Sequence, residues 1–117
     1  MSGGVPGAPI TWADFTKVDV RVGRVVAAEP FPEARKPAYR LRIDFGPLGE
    51  RRSSAQITKR YRAEELPGRL VVAVVNFPPK RIAGFASEVL VLGAMAAEDD
   101  VVLLAPDQDV APGTRIA

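Results

Sequence analysis

An all-β domain with a short helix is the fold class this sequence predicts, and three observations predict it. The first is period-two alternation: Tyr39, Leu41, Ile43 and Phe45 are separated by Arg40, Arg42 and Asp44, as in a half-buried strand. The second is punctuation, because the apolar runs end at Gly46-Pro47-Leu48-Gly49, Pro67-Gly68, Pro78-Pro79 and Pro112-Gly113. The third is length: 117 residues, 47% hydrophobic and 26% charged, fit one globular domain.

In chain order, residues 1–9 are a Gly/Pro/Ala segment with neither a basic start nor an apolar core, read as a flexible lead and not a signal peptide. Thr11-Trp12-Ala13-Asp14 opens a short helix with Thr11 as its N-cap. Val18, Val20 and Val22 then alternate with Asp19 and Arg21, and at Gly23 the parity slips so that Val25 points inward, which predicts a β-bulge. Three prolines make Glu29 to Pro37 a loop before the Tyr39–Phe45 strand. Glu50 to Gln56 returns as the second arm of a hairpin.

Thr58 to Leu66 reads as a short helix closed by Pro67-Gly68. Arg69 to Phe77 is apolar on both parities, so this strand is expected to be covered on both faces, by core on one side and by a helix or partner on the other. Ser87 to Leu92 and Val101 to Leu104 are further strands around the acidic turn Glu98-Asp99-Asp100. Three strands, a helix, two strands and an extension make a five-stranded OB-fold Greek-key barrel with N- and C-terminal extensions.

What the chain lacks narrows its chemistry. It has no Cys and no His, which removes disulfides, thiol and Ser–His–Asp nucleophiles, and zinc sites of the usual kind. No glycine cluster precedes a Lys-Ser or Lys-Thr as a phosphate loop requires. The carboxylate pairs Glu64-Glu65 and Asp99-Asp100 sit on polar surface, where burial would not tune them for acid–base work. A non-catalytic protein with no cofactor and no metal is expected. The expected absence of disulfides and of an export signal points to the cytoplasm, and no apolar run is long enough for membrane insertion.

Charge is lopsided despite a net +2. Residues 1–62 hold 12 Lys/Arg against 6 Asp/Glu, and residues 63–117 hold 4 against 8. Either the first half presents a basic face or the two halves neutralise each other in the fold. Candidate phosphate-binding residues are Arg35, Lys36, Arg40, Arg42, Arg51, Arg52, Lys59 and Arg60. The loop predicted from Asn76 to Phe85 sets Phe77 and Phe85 with Lys80 and Arg81 around a stiff diproline. Aromatics beside cations suit an extended peptide or stacked bases; the same Phe77 and Phe85 could instead plug the barrel ends. Phe31 and Tyr39, flanking the first inter-strand loop, extend this candidate peptide site of Asn76, Phe77, Lys80, Arg81 and Phe85.

The runs Ser53-Ser54-Ala55-Gln56-Ile57-Thr58-Lys59-Arg60-Tyr61, Val74 to Phe85 and Ser87-Glu88-Val89-Leu90-Val91-Leu92 resemble the CsaA family, as do Phe31 to Arg35 and Val101 to Asp107. The resemblance covers about Phe15 to the C-terminus and makes residues 10–117 an OB-fold domain of the tRNA-binding type. It implies a bacterial homodimer, an export-related chaperone that binds precursor polypeptides and the Sec translocation motor, with tRNA as an inherited second ligand. The apolar double-faced strand and the apolar end segments point to a homodimer too.

Overall fold

The computed structural model describes residues 4–117; the first three residues of the expected N-terminal lead lie outside the described residues. The architecture is a small, nearly closed β-barrel with one α-helix, the OB-fold that the strand pattern predicts. Helix α1 (Trp12–Thr16) starts on a capping box in which Thr11 Oγ1 accepts from the Asp14 amide and the Asp14 carboxylate accepts from the Thr11 amide.

The barrel strands are β1 (Val20–Pro30), β2 (Tyr39–Asp44), β3 (Glu50–Ala55), β4 (Leu70–Val74) and, after a hairpin of β5 (Lys80–Ile82) and β6 (Phe85–Ser87), the short β7 (Leu90–Val91). The sheet runs β3-β2-β1-β4-β7. It closes where β3 meets residues 87–89, and this is what the small polar residues of β3 are for. Glu88 N donates to Arg52 O (2.8 Å), Ser54 N to Ser87 Oγ (3.0 Å) and Ser53 Oγ to Val89 O (3.2 Å). Ser53 is fully buried, and a larger side chain there would hold the two edges apart.

Val25, Leu41, Ile43, Phe45, Leu66 and Val71 fill the barrel. Val20, Val72 and Val74 form a second cluster on the outer face with Leu92 and Ile116. The double-faced apolar strand is therefore real, and its outer cluster is packed by the chain's own Leu92 and Ile116 where the sequence predicts a helix or a partner. Strand β10 (Arg115–Ile116) pairs with the start of β1. The remaining hairpin, β8 (Gly93–Ala97) with β9 (Asp100–Leu103), forms a separate two-stranded sheet. No helix among the described residues is long and apolar enough to cross a membrane.

Two local expectations are corrected. The β1–β2 register shifts between Val25 and Ala27, not at Gly23, whose pairing with β4 is unbroken. Gly23 is needed for close approach: a Cβ there would lie 2.5 Å from Ile43 Cγ2 and 2.7 Å from Phe45 Cε1, both in the fully buried core. Gly23→Ala is expected to lose about 1–3 kcal/mol by overpacking, read as a lowered urea midpoint with an unchanged slope. The second correction concerns Thr58 to Leu66, which is a turn at 58–60 followed by a single 3₁₀ turn (Ala63–Glu65). Only Leu66 of this segment enters the core as a fully buried side chain, so there is no apolar stripe to hold a helix too short to persist alone.

Candidate functional site

Strand β4 ends at Val74, and neither Pro78 nor Pro79 beyond it can donate to a ladder that would extend it. The chain then leaves the barrel as the β5–β6 hairpin, where the sequence predicts a loop. Its register pairs Ile82 with Phe85 across a two-residue turn in which Ala83 (φ 48°) and Gly84 (φ 82°) both adopt positive φ. The hairpin stands over the closure of β3 with residues 87–89. Between them and β8 lies an open groove of about 720 Å³ whose wall includes Ile57, Phe77, Ile82, Leu90, Val91 and Met95. Phe77 is 53% exposed, Leu90 49% and Met95 55%, so the apolar wall faces solvent.

On the other side of the hairpin is a second cleft of about 790 Å³. Arg35 and Lys36 from the β1–β2 loop face it from one side and Lys80 and Arg81 from β5 on the other. Ser54, Gln56, Lys80 and Ile82 border both clefts, so the apolar groove and the basic cleft adjoin.

The two segments that carry these cations are tied by their aromatics. The Phe31 and Phe85 rings meet edge to face with centroids 5.4 Å apart. The Arg40 guanidinium lies 5.2 Å from the Phe31 centroid and that of Arg52 lies 5.3 Å from Phe85. Phe31 is buried and Phe85 half-buried, so this ladder positions the loop and the hairpin and leaves the exposed aromatic surface to Phe77. Asn76 is also committed locally: its Oδ1 accepts from Asp19 N (2.9 Å) and its Nδ2 donates to Lys17 O (2.7 Å), docking the end of β4 to the segment after α1. Tyr39 is half-buried and its hydroxyl donates to Tyr61 O (2.7 Å).

The predicted basic residues divide into two groups. Arg40, Arg42 and Arg52 lie on the outer faces of β2 and β3, each beside a carboxylate: Glu29 at 3.1 Å, Glu50 at 3.1 Å and Glu88 at 3.6 Å. Lys59 pairs with Asp99 (3.7 Å) and Arg60 with Asp100, which joins the acidic turn to the basic run. Arg51 folds back onto Leu48 O. Arg35, Lys36, Lys80 and Arg81 have no carboxylate within 4.0 Å among the described residues, although Arg81 donates to Gly84 O (3.0 Å). Both outcomes left open by the charge asymmetry therefore occur, on different faces.

The Arg60 guanidinium, hydrogen-bonded to Asp100, holds that carboxyl below its ordinary value, and Arg21 does the same for Asp19. A depressed carboxylate stabilises the fold above its unfolded value, about 3.9, and the contribution disappears as pH falls through the lowered folded value. Thermal melts are expected to be level near neutrality and to fall below about pH 4. In an Asp19→Asn, Asp100→Asn variant, Tm is expected to be lower at neutral pH and the acid slope shallower. An acid slope identical to that of the wild type would contradict this.

Residues 20–115 match the family described as "Putative tRNA binding domain". Among curated proteins, methionine–tRNA ligases of Porphyromonas gingivalis and Thermotoga maritima are each 40% identical over 107 and 108 residues, in each case 92% of this chain but only 15% and 17% of the ligase. The chain thus spans about a sixth of the length of these relatives. Among solved structures, the chaperone CsaA of Bacillus anthracis superposes with a TM-score of 0.91 at 58% identity, over 94% of this chain and 100% of that one. The CsaA chaperone protein of Picrophilus torridus gives 0.86 at 54% identity, over 93% and 100%. The matched kinds are a tRNA-binding module and chaperones, and the likeness to the ligases is confined to a small part of their length. On the family match and on these full-length likenesses, the chain belongs to the tRNA-binding domain family and, within that fold, to the CsaA proteins.

Proposed function

We propose that the protein is a non-catalytic, cytoplasmic chaperone that holds unfolded or precursor polypeptide segments in the apolar groove. The observation that carries this reading is the groove's mainly apolar lining: aliphatic side chains and one aromatic, Phe77, exposed beside a rigid diproline, with Lys80, Glu88 and Glu98 as the charged residues on the wall. Aliphatic walls accept varied apolar side chains, whereas bases require flat aromatic faces and cations along the strand. Phe77 is the main aromatic contact, Lys80 edges the groove and Arg81 the adjoining cleft, and Phe31, Phe85, Tyr39 and Asn76 hold the surroundings in place. An export role, with the Sec translocation motor as a partner, is what the resemblance to the CsaA family leads us to expect.

A homodimer completes the reading. With the outer face of β4 filled internally, the argument for it moves to the N-terminal segment, where Ile10 is 67% and Trp12 73% exposed. The second reading is a tRNA-binding module. The family match and the unpaired Arg35, Lys36, Lys80 and Arg81 favour it, with Arg40, Arg42, Arg51, Arg52, Lys59 and Arg60 as further phosphate contacts.

A salt titration separates the two. Binding of an apolar peptide is expected to change little between about 0.05 and 0.2 M salt, whereas bulk tRNA held by several phosphate contacts would lose orders of magnitude in affinity. Tight tRNA binding with a steep salt slope, and no peptide binding, would replace the first reading with the second.

A further inference from the structure

The apolar groove does not end in neutral surface. Among the described residues, nine of the chain's 16 Lys and Arg residues lie within 4.0 Å of a carboxylate. Four of the remaining seven, Arg35, Lys36, Lys80 and Arg81, border a cleft that adjoins the groove. Glu33 is the only carboxylate on that cleft's wall, and Lys80 and Ile82 belong to both spaces. All four cations are exposed, so an approaching anion meets them without displacing an internal carboxylate, although Arg81 also donates to Gly84 O. By contrast, an anion at Arg40, Arg42 or Arg52 would have to compete with Glu29, Glu50 or Glu88.

We propose that the joined groove and cleft select polypeptide segments in which an apolar run is flanked by acidic side chains, and reject the same run flanked by cations. This rests on the peptide-binding reading and adds the charge of the preferred client. An extended segment lays its apolar side chains against Phe77, Leu90 and Met95, and its next residues reach Lys80 and Arg81, a few residues further along an extended backbone. Acidic residues there gain attraction and speed encounter, whereas Lys or Arg would stand against four unpaired cations. A single strand of RNA fits less well, because the cations gather at one end of the path, and the rest is mostly apolar with the carboxylates of Glu88 and Glu98 on its wall.

The test uses the full chain and three fluorescein-labelled peptides with a common core, Leu-Ile-Val-Leu-Leu-Ala, flanked on both sides by Glu-Ser-Glu, Ser-Ser-Ser or Lys-Ser-Lys. Fluorescence anisotropy at about 0.05 M salt, where surface charges are weakly screened, is expected to rank them Glu, Ser, Lys, with about ten-fold steps in Kd. Lys80→Glu with Arg81→Glu, and separately Arg35→Glu with Lys36→Glu, should collapse or invert the order, and Phe77→Ala should weaken all three peptides alike. Both charge-reversed pairs are exposed, so each variant is expected to fold. Equal affinity for the three peptides would overturn charge selection and leave peptide binding standing. Displacement of all three by an oligouridine strand would give the cleft to RNA and overturn it as well. No peptide binding at all would remove both the selection and the reading beneath it.

Discussion

Phe31→Ala is expected to lower folding stability by about 3–5 kcal/mol, the range for truncating a buried phenylalanine. The ring is 3% exposed, contacts Phe85 edge to face and lies under the Arg40 guanidinium. Its removal leaves a cavity beneath the β1–β2 loop and deprives the hairpin of its contact with that loop. The loss is best followed by far-ultraviolet circular dichroism in urea, because the lone Trp12 is 73% exposed and reports poorly on the barrel. A loss below about 1 kcal/mol would show that Phe31 behaves as a surface side chain and would undo the positioning role assigned to it.

Phe77→Ala is the complementary case. Its ring is half in solvent, so stability is expected to move by no more than about 0.5 kcal/mol, while an apolar peptide should bind about 1–3 kcal/mol more weakly, as for the loss of an interface anchor. The two phenylalanines were equivalent in the sequence, both bulky and both beside proline. Only the packing separates them, and the measurements should separate them in the same way: Phe31 in stability, Phe77 in affinity.

Much of the barrel was legible because its signals are local. The alternation from Tyr39 to Phe45 became β2 and a buried Phe45 just past its end, and the Thr11–Asp14 spacing became a capping box. What failed depended on contacts distant in sequence. Gly23 stood out correctly, but its reason is the approach of Ile43 and Phe45, some twenty residues away, and the true register shift carries no glycine to announce it. Strand β8, Gly-Ala-Met-Ala-Ala, has little intrinsic strand preference and exists through its pairing with β9. The Ala83-Gly84 turn lacks the Asn-Gly signal of a tight hairpin, so β5 and β6 were hidden in a presumed loop.

The candidate site was legible as composition but not as geometry. The sequence put Phe77, Lys80 and Arg81 together because they share a segment. It could not show that Arg35 and Lys36 face the same cleft, nor that Arg40, Arg42 and Arg52 already have carboxylate partners. Asn76 shows the same limit: a polar residue beside the diproline is suited to contact a ligand, yet its amide is engaged with the backbone of residues 17 and 19.

Methyl NMR during titration with an apolar peptide tests the account's central claim most directly. The expected shifts fall on Ile82, Leu90 and Met95, which line the groove, and spare Val26, which is exposed but absent from the groove's wall. Shifts confined to the outer faces of β2 and β3 would contradict the account. So would groove methyls that move on dilution of the protein alone and not on adding peptide, since the groove would then belong to a second copy of the chain.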